Sequence, residues 1–243
     1  MRILAASSGF RPGRRTELEP GPLIDFAVEL AGSPARLRFC HVGTASGDNP
    51  VYAANVAAAF VGRDVVVSAL AAFPMPNVAD VRAHLLAQDV VWVGGGSVAG
   101  LLAIWRLHGW DEIFREVWEA GVVLGGVSAG SLCWHVGGTT DSFGPDLRAV
   151  TDGLGLLPCS NGVHYDSDDQ RRPLYRRLVA DGSLPAGYAT DDGVGLLYEG
   201  TELIGAVADR PGAAAWRVER GADGSAVETR IEPRLLAGAD RPP

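Results

Sequence analysis

The chain contains no lysine: all 21 of its basic residues are arginine. That absence excludes a lysine Schiff base and a serine-lysine dyad, since both need an amine that can be deprotonated near neutral pH. Cysteine is scarce. Cys40, Cys133 and Cys159 are odd in number and far apart, so neither a disulfide framework nor a C-x-x-C metal site is indicated, and each reads as a small buried hydrophobe. No apolar run approaches the roughly 20 residues that cross a bilayer, and the one near Met1 is too short for a signal peptide, so the cytoplasm is the expected location. Basic clusters are also missing. With a formal net charge of -8, neither nucleic acid nor an anionic membrane is an expected partner.

What is present suits an enzyme with a sizeable core: 243 residues, 47% of them hydrophobic and 21% charged. Nothing resembles a linker, so residues 1–243 are read as one domain, with a polar, proline-rich tail fraying from Pro233. Strand and helix signals alternate. Ile3–Ala6 reads as a strand, Phe10–Pro22 as a loop, and Leu23, Phe26, Ala27 and Leu30 fall at helical spacing. Arg36–Val42, Asp64–Leu70 and Val90–Val93 read as further strands. Helices are expected over Val51–Val61, capped by Asp48, and over Val78–Leu86, Val98–Leu107, Trp110–Ala120 and Gln170–Ala180. Apolar strands alternating with helices imply a doubly wound, mostly parallel α/β sheet covered on both faces. Extra strands follow at Ala186–Thr190, Gly193–Tyr198, Glu202–Ala206 and Ala213–Val218.

The most informative stretch is Gly121–Gly138. The apolar run Val122-Val123-Leu124 passes through Gly125-Gly126-Val127-Ser128-Ala129-Gly130 into residues that can form a helix, which is the G-x-S-x-G nucleophile-elbow pattern. Glycines are needed there because the turn brings Gly126 and Gly130 together, and a Cβ on either would crowd the other. The serine is expected in a strained conformation with its hydroxyl clear of the sheet. A second glycine loop, Gly94-Gly95-Gly96-Ser97, ends the Val90–Val93 strand and bares N–H groups suited to an oxyanion. It lacks the spacing of a dinucleotide fingerprint.

A serine nucleophile needs a base, usually a histidine oriented by a carboxylate. Of the five histidines, His41, His84 and His108 lie where the sequence does not bring them to the elbow. His135 is about two helical turns beyond Ser128, roughly 10 Å away. His164 remains, in the turn Ser160–Asp166. For the acid, Asp141 is preferred because its loop, Gly137–Gly144, can fold back towards the sheet; Asp146 and Asp166 stay open. Asp191 and Asp192 either line the site or begin a turn before Gly193, and the turn is preferred. The acid trails the serine too closely, and the histidine lies too far from the C-terminus, for an α/β-hydrolase.

Taken together, Gly94–Ser97, Gly126–Gly130, Thr139-Thr140-Asp141 and Gly162–Tyr165 resemble the peptidase E family of serine peptidases, from about Arg2 to the strands near Tyr198. The resemblance implies a fold similar to class I glutamine amidotransferases, flavodoxin-like, with Ser128 as nucleophile, His164 as base and Asp141 as orienting acid. It also implies an oxyanion site at the N–H groups of Gly96 and Ala129, with Gly95 and Ser97 beside the substrate. Aspartyl dipeptidases of that family use an arginine beyond the histidine to hold an N-terminal aspartate. Asp169 stands near that place here, and Arg171 and Arg172 are the candidate substitutes. The expected activity is cofactor-free, metal-free hydrolysis of dipeptides or short peptides, with N-terminal aspartate as one preference and a homodimer left open. The alternatives are an amidase, esterase or cyanophycinase-like acyl hydrolase on the same scaffold, or a silent small-molecule binder.

Overall fold

Val90-Val91-Trp92-Val93 has no polar face, so as a strand it requires neighbours on both edges and helices on both sides. In the computed structural model, which describes residues 1–32 and 34–239, it has both. The first half of the chain alternates: β1 (Arg2–Ala6), β2 (Phe10–Pro12), β3 (Leu18–Pro20), α1 (Pro22–Leu30), β4 (Leu37–Val42), α2 (Pro50–Ala59), β5 (Val65–Leu70), α3 (Val81–Leu86), β6 (Val90–Val93), α4 (Val98–His108), α5 (Trp110–Glu119), β7 (Val123–Val127) and the short α6 (Ala129–Leu132). The second half is mostly extended: β8 (His135–Thr140), β9 (Arg148–Val150), β10 (Leu157–Gly162), α7 (Arg171–Ala180), β11 (Gly187–Thr190), β12 (Val194–Glu199), β13 (Glu202–Ala208), β14 (Ala215–Arg220), β15 (Ala226–Ile231) and β16 (Arg234–Leu235).

Eight strands form the main sheet in the order β16-β13-β12-β1-β7-β6-β4-β5, of which β1, β7, β6, β4 and β5 run parallel. This is the expected helix-flanked, mostly parallel sheet. Side-chain alternation divides its core in two. Ile3, Ala5, Val91, Val93 and Leu124 face the Trp105, Phe114 and Trp134 cluster, while Leu4, Ala6, Phe39, Val90 and Trp92 face Leu23, Phe26 and Phe60. Trp105 stacks on Phe114 at 4.1 Å between ring centroids.

The second sheet was not expected: six strands in the order β15-β14-β11-β10-β8-β9, with β10 parallel to both β8 and β11. Gly137–Thr140, read as loop, belongs to β8, and the turn expected from Ser160 begins only after Gly162. The glycines misled because here they allow close strand approach: a Cβ on Gly138 would overlap the carbonyl oxygen of Asn161. Phe10–Pro22, also read as loop, contains the β2/β3 hairpin and the start of α1. Asn49 caps α2, accepting from the N–H groups of Val51 and Tyr52, whereas Asp48 accepts from Ala72 and Phe73. Past Pro233, Arg234–Leu235 pairs with β13, so that part of the tail does not fray; the last four residues lie outside the described residues.

The main sheet aims the elbow. β7 lies between β1 and β6, so its C-terminal end is flanked by Ser7-Ser8-Gly9 and Gly94-Gly95-Gly96. A Cβ on Gly126 would overlap the carbonyl oxygen of Gly130, and one on Gly130 would overlap that of Val93. Neither neighbour is a flexible side chain, so Gly126→Ala is expected to cost at least about 1–3 kcal/mol. A urea unfolding curve would show this as a lower midpoint at unchanged slope.

Candidate active site

Ser128 follows the last residue of β7 and has φ 57°, ψ -111°, outside the regions that residues with a side chain prefer. Among the described residues only three non-glycine positions have positive φ: Asp48, Ser128 and His164. Two of the three are thus the serine and histidine singled out from sequence, and strain of this kind gathers where chemistry uses it. Ser128 is half-buried, as an accessible hydroxyl on a rigid turn should be.

One short segment ties the backbones of Ser128 and His164 to adjacent residues. The Ser128 N–H donates to the carbonyl of Ala6 at 3.0 Å, and the His164 N–H donates to the hydroxyl of the next residue, Ser7, at 3.1 Å. Ser7 in turn shares a 2.7 Å hydrogen bond with the Thr190 hydroxyl at the end of β11. The end of β1 therefore couples the elbow of the main sheet to the ends of two strands in the second sheet. The structural role of Ser7 depends on the ends of β10 and β11 lying beside it, which no local sequence pattern signals.

The acid is Asp192. His164 Nδ1 lies 2.5 Å from Asp192 Oδ1, and since a carboxylate can only accept, Nδ1 carries the proton and Nε2 is left as the basic nitrogen. β10 and β11 are parallel neighbours, with Gly162 opposite Ala189, so residues just beyond their ends emerge side by side. Asp192 is fixed through its backbone as well. Its N–H donates to Asp166 at 2.8 Å and its carbonyl accepts from Arg210 Nε at 2.6 Å, while Arg210 also pairs with Asp166. Burial pushes the Asp192 carboxyl up, but hydrogen bonds from His164 and Ser167 and the charges of His164 and Arg210 outweigh it. The net effect holds Asp192 below the ordinary carboxylate value.

This corrects the assignment of Asp141. Its side chain is 61% exposed and lies 3.6 Å from Arg171. Because β8 runs on to Thr140, the residues before Asp141 are held in a sheet and do not fold back. Asp146 is exposed and makes no hydrogen bond among the described residues, and Asp166 clamps the Asp192 backbone instead of the imidazole. The Asp191-Asp192-Gly193 turn is real, but Asp191 turns inward to Ala214 N and Trp216 Nε1, leaving Asp192 to face the histidine.

The other histidines do not compete. His41 is buried with its Cε1 beneath Gly94, and burial pushes it down to about 4. His135 sits in β8, not on a helix, with Nδ1 2.9 Å from the Ser131 carbonyl; burial likewise pushes it down to about 4. Burial raises the thiols of Cys40 and Cys159 to about 12 and 11, which suits packing more than nucleophilic work. Among the described residues, no group of three or more His, Cys, Asp or Glu is arranged to hold a metal ion, and no helix is long and apolar enough to cross a membrane.

Around Ser128, a Cβ placed on Gly95 would lie 3.4 Å from the serine Cβ, so Gly95 is the loop glycine that faces it. Gly96, with φ 134°, is turned towards the Ala45 carbonyl. The N–H groups of Gly95, Gly96 and Ala129 have no hydrogen-bond partner among the described residues. The Ser97 hydroxyl, expected beside the substrate, caps α4 by accepting from Gly100 N at 3.0 Å.

The two arginines differ. Arg171 is buried, 3.4 Å from Asp168 and 3.6 Å from Asp141. Arg172, expected at the substrate, forks onto Glu228 at 3.1 and 2.9 Å and stacks 4.4 Å from the Trp216 ring. It ties α7 to β14 and β15. Arg172→Ala is therefore expected to cost about 1–3 kcal/mol of stability by thermal melt while leaving kcat/KM within about twofold.

The chain matches the model of peptidase family S51 over residues 3–205. It is 42% identical over 181 residues to YgaJ of Bacillus subtilis (strain 168), an uncharacterized peptidase, covering 74% of this chain and 77% of that one. Two solved structures share the fold. A peptidase from an acI-B1 Actinobacterium superposes with a TM-score of 0.65 at 14% identity, covering 96% of this chain and 94% of that one. A structure named for peptidase E, from Listeria monocytogenes EGD-e, gives 0.59 at 18% identity, over 84% and 96%.

Proposed function

The chain belongs to peptidase family S51, and from that premise we propose that it is a serine exopeptidase that cleaves dipeptides or short peptides through an acyl-enzyme. The observation that carries the reading is the His164–Asp192 pair hung from the residue next to the one that holds Ser128. Ser128 Oγ attacks the scissile carbonyl while His164 Nε2 takes its proton. Asp192 holds the imidazole in the tautomer this needs and stabilises the imidazolium that forms. The oxyanion is met by the N–H of Ala129 and by the glycine loop, at Gly95 or Gly96. Each such donor is worth about 2.7–4 kcal/mol in the transition state. Collapse breaks the C–N bond, and His164 returns the proton to the leaving amine. Water then attacks the ester with His164 again as base, releasing the acid product and restoring the Ser128 hydroxyl.

Support for an exopeptidase comes from charge. Asp166, Asp192 and Asp209 gather near the histidine, with the guanidinium of Arg210 paired to Asp166 and that of Arg11 also acting on Asp209, and the excess of carboxylates favours a substrate's free ammonium group. A preference for N-terminal aspartate draws no comparable support, because Arg171 is already flanked by two carboxylates and Arg172 is engaged by Glu228.

The test is turnover of aminoacyl anilides with free and acetylated amines. The free-amine forms are expected to be cleaved about 10–100-fold faster, the value of one charged contact, and the rate to be unchanged by a chelator. Equal turnover of acetylated substrates would favour the amidase or esterase reading, and loss of activity with chelator would remove the mechanism.

A further inference from the structure

A cavity of about 410 Å³ opens beside the elbow, within the range of about 300–1,000 Å³ usual for small-ligand sites. Its walls are Gly9 from the connection after β1, Phe10 at the start of β2, Gly94 and Gly95 from the loop after β6, Tyr52 of α2, and Val127, the residue before Ser128. It therefore begins where the nucleophile stands: Gly95 lines it and also faces the Ser128 Cβ.

Three of its polar groups are already engaged. The Ser8 hydroxyl donates to Asp209, the Ser46 hydroxyl donates to the Gly43 carbonyl at 3.0 Å, and the Asn49 side-chain oxygen caps α2. No cation lines it. Arg11, next to Phe10, pairs with Glu19 at 2.9 Å. His41, whose ring lies 5.4 Å from that of Tyr52, is held neutral by burial. What remains open to a guest is mostly apolar, the faces of Phe10 and Tyr52 and the Val127 side chain, with the glycine backbone, the Tyr52 hydroxyl and the Asn49 amide nitrogen as uncharged polar groups at its edge. A carboxylate entering there would lose water and find no countercharge, with Asp209 just behind Ser8.

Building on Ser128 as nucleophile, we propose that this cavity is the specificity pocket and takes a large apolar or aromatic side chain on the residue that supplies the scissile carbonyl. The enzyme is then a peptidase for substrates with N-terminal Phe, Leu or Met, not for aspartyl peptides. Because side chain and carbonyl belong to one residue, filling the pocket also presents the carbonyl to Ser128, so selectivity appears in kcat/KM.

The experiment measures kcat/KM for Phe, Leu, Ala, Asp and Arg anilides with wild type, Ser46→Trp and Tyr52→Ala. Wild type is expected to prefer Phe and Leu over Ala by about 10–100-fold, and over Asp by at least as much. Ser46→Trp should fill the pocket and bring the Phe/Ala ratio down to about 1 or below, and Tyr52→Ala should lower it at least about fivefold. Ratios within one variant do not depend on how much protein folds. Preference for Asp or Arg, or Phe/Ala ratios that neither variant changes, would overturn the pocket assignment and leave the peptidase intact. No hydrolysis of any anilide by a wild-type protein that also fails to react with a fluorophosphonate would remove both.

Discussion

Asp192→Asn is expected to lower kcat by about 10⁴-fold, the loss that follows when the acid of a Ser-His-Asp set can no longer fix the histidine tautomer. An amide at this position can donate as well as accept, so it can hold the ring with Nδ1 as acceptor and the proton on Nε2, where it cannot take one from Ser128. Asp141→Asn should stay within about twofold of wild type by the same assay, because that side chain is mostly exposed and faces Arg171. The pair of variants separates the two candidate acids in one measurement. Stability adds an independent sign. A carboxyl held below its unfolded value stabilises the fold above the unfolded value and loses that contribution as pH falls through the folded one. The gap in urea midpoint between wild type and Asp192→Asn should therefore be widest at neutral pH and close as the pH drops below the carboxylate range.

Ser128→Ala is expected to lower kcat by about 10⁶-fold, with KM little changed. The residual rate would come from the N–H donors of Ala129 and the glycine loop and from substrate binding, which do not need the hydroxyl. Alanine keeps the Cβ at this position and adds nothing towards Gly95, so the elbow geometry should persist and the loss reports chemistry alone. A loss of less than about 100-fold would mean that Ser128 only positions the substrate.

Much of this arrangement was legible in the residues. The elbow could be read because its glycines have no substitute: Gly126 and Gly130 sit against backbone oxygens, a constraint visible in sequence as a fixed spacing about a serine. The strands β1, β4, β6 and β7 announce themselves as apolar runs because they are buried on both faces. His164 stood out because the chain has five histidines and four could be set aside.

The second sheet hid because its buried strands carry polar residues. Ser160 and Asn161 in β10 are fully buried yet satisfied, Asn161 by the Ser131 hydroxyl at 2.8 Å and Ser160 by the Tyr175 hydroxyl at 2.7 Å. Such a strand shows no hydrophobic alternation, and with Gly137-Gly138 in its neighbour the region reads as loop. Once β10 and β11 went unrecognised as parallel partners, nothing in the sequence placed Asp192 opposite His164. An aspartate before a glycine looks like the start of a turn, which it also is. Arg172 was misassigned for a related reason: its partner Glu228 and its platform Trp216 lie far along the chain, and only the packing of α7 on β14 and β15 brings them together.

The central claim is that Ser128 is a nucleophile made reactive by His164. The most direct test is the intact mass of the protein after incubation with a fluorophosphonate probe, with peptide mapping of the adduct. One adduct on Ser128 is expected in wild type, none in Ser128→Ala, and labelling slowed by at least about 100-fold in His164→Ala. An unmodified wild-type protein, or labelling of Ser128 that proceeds as fast without the His164 imidazole, would contradict it.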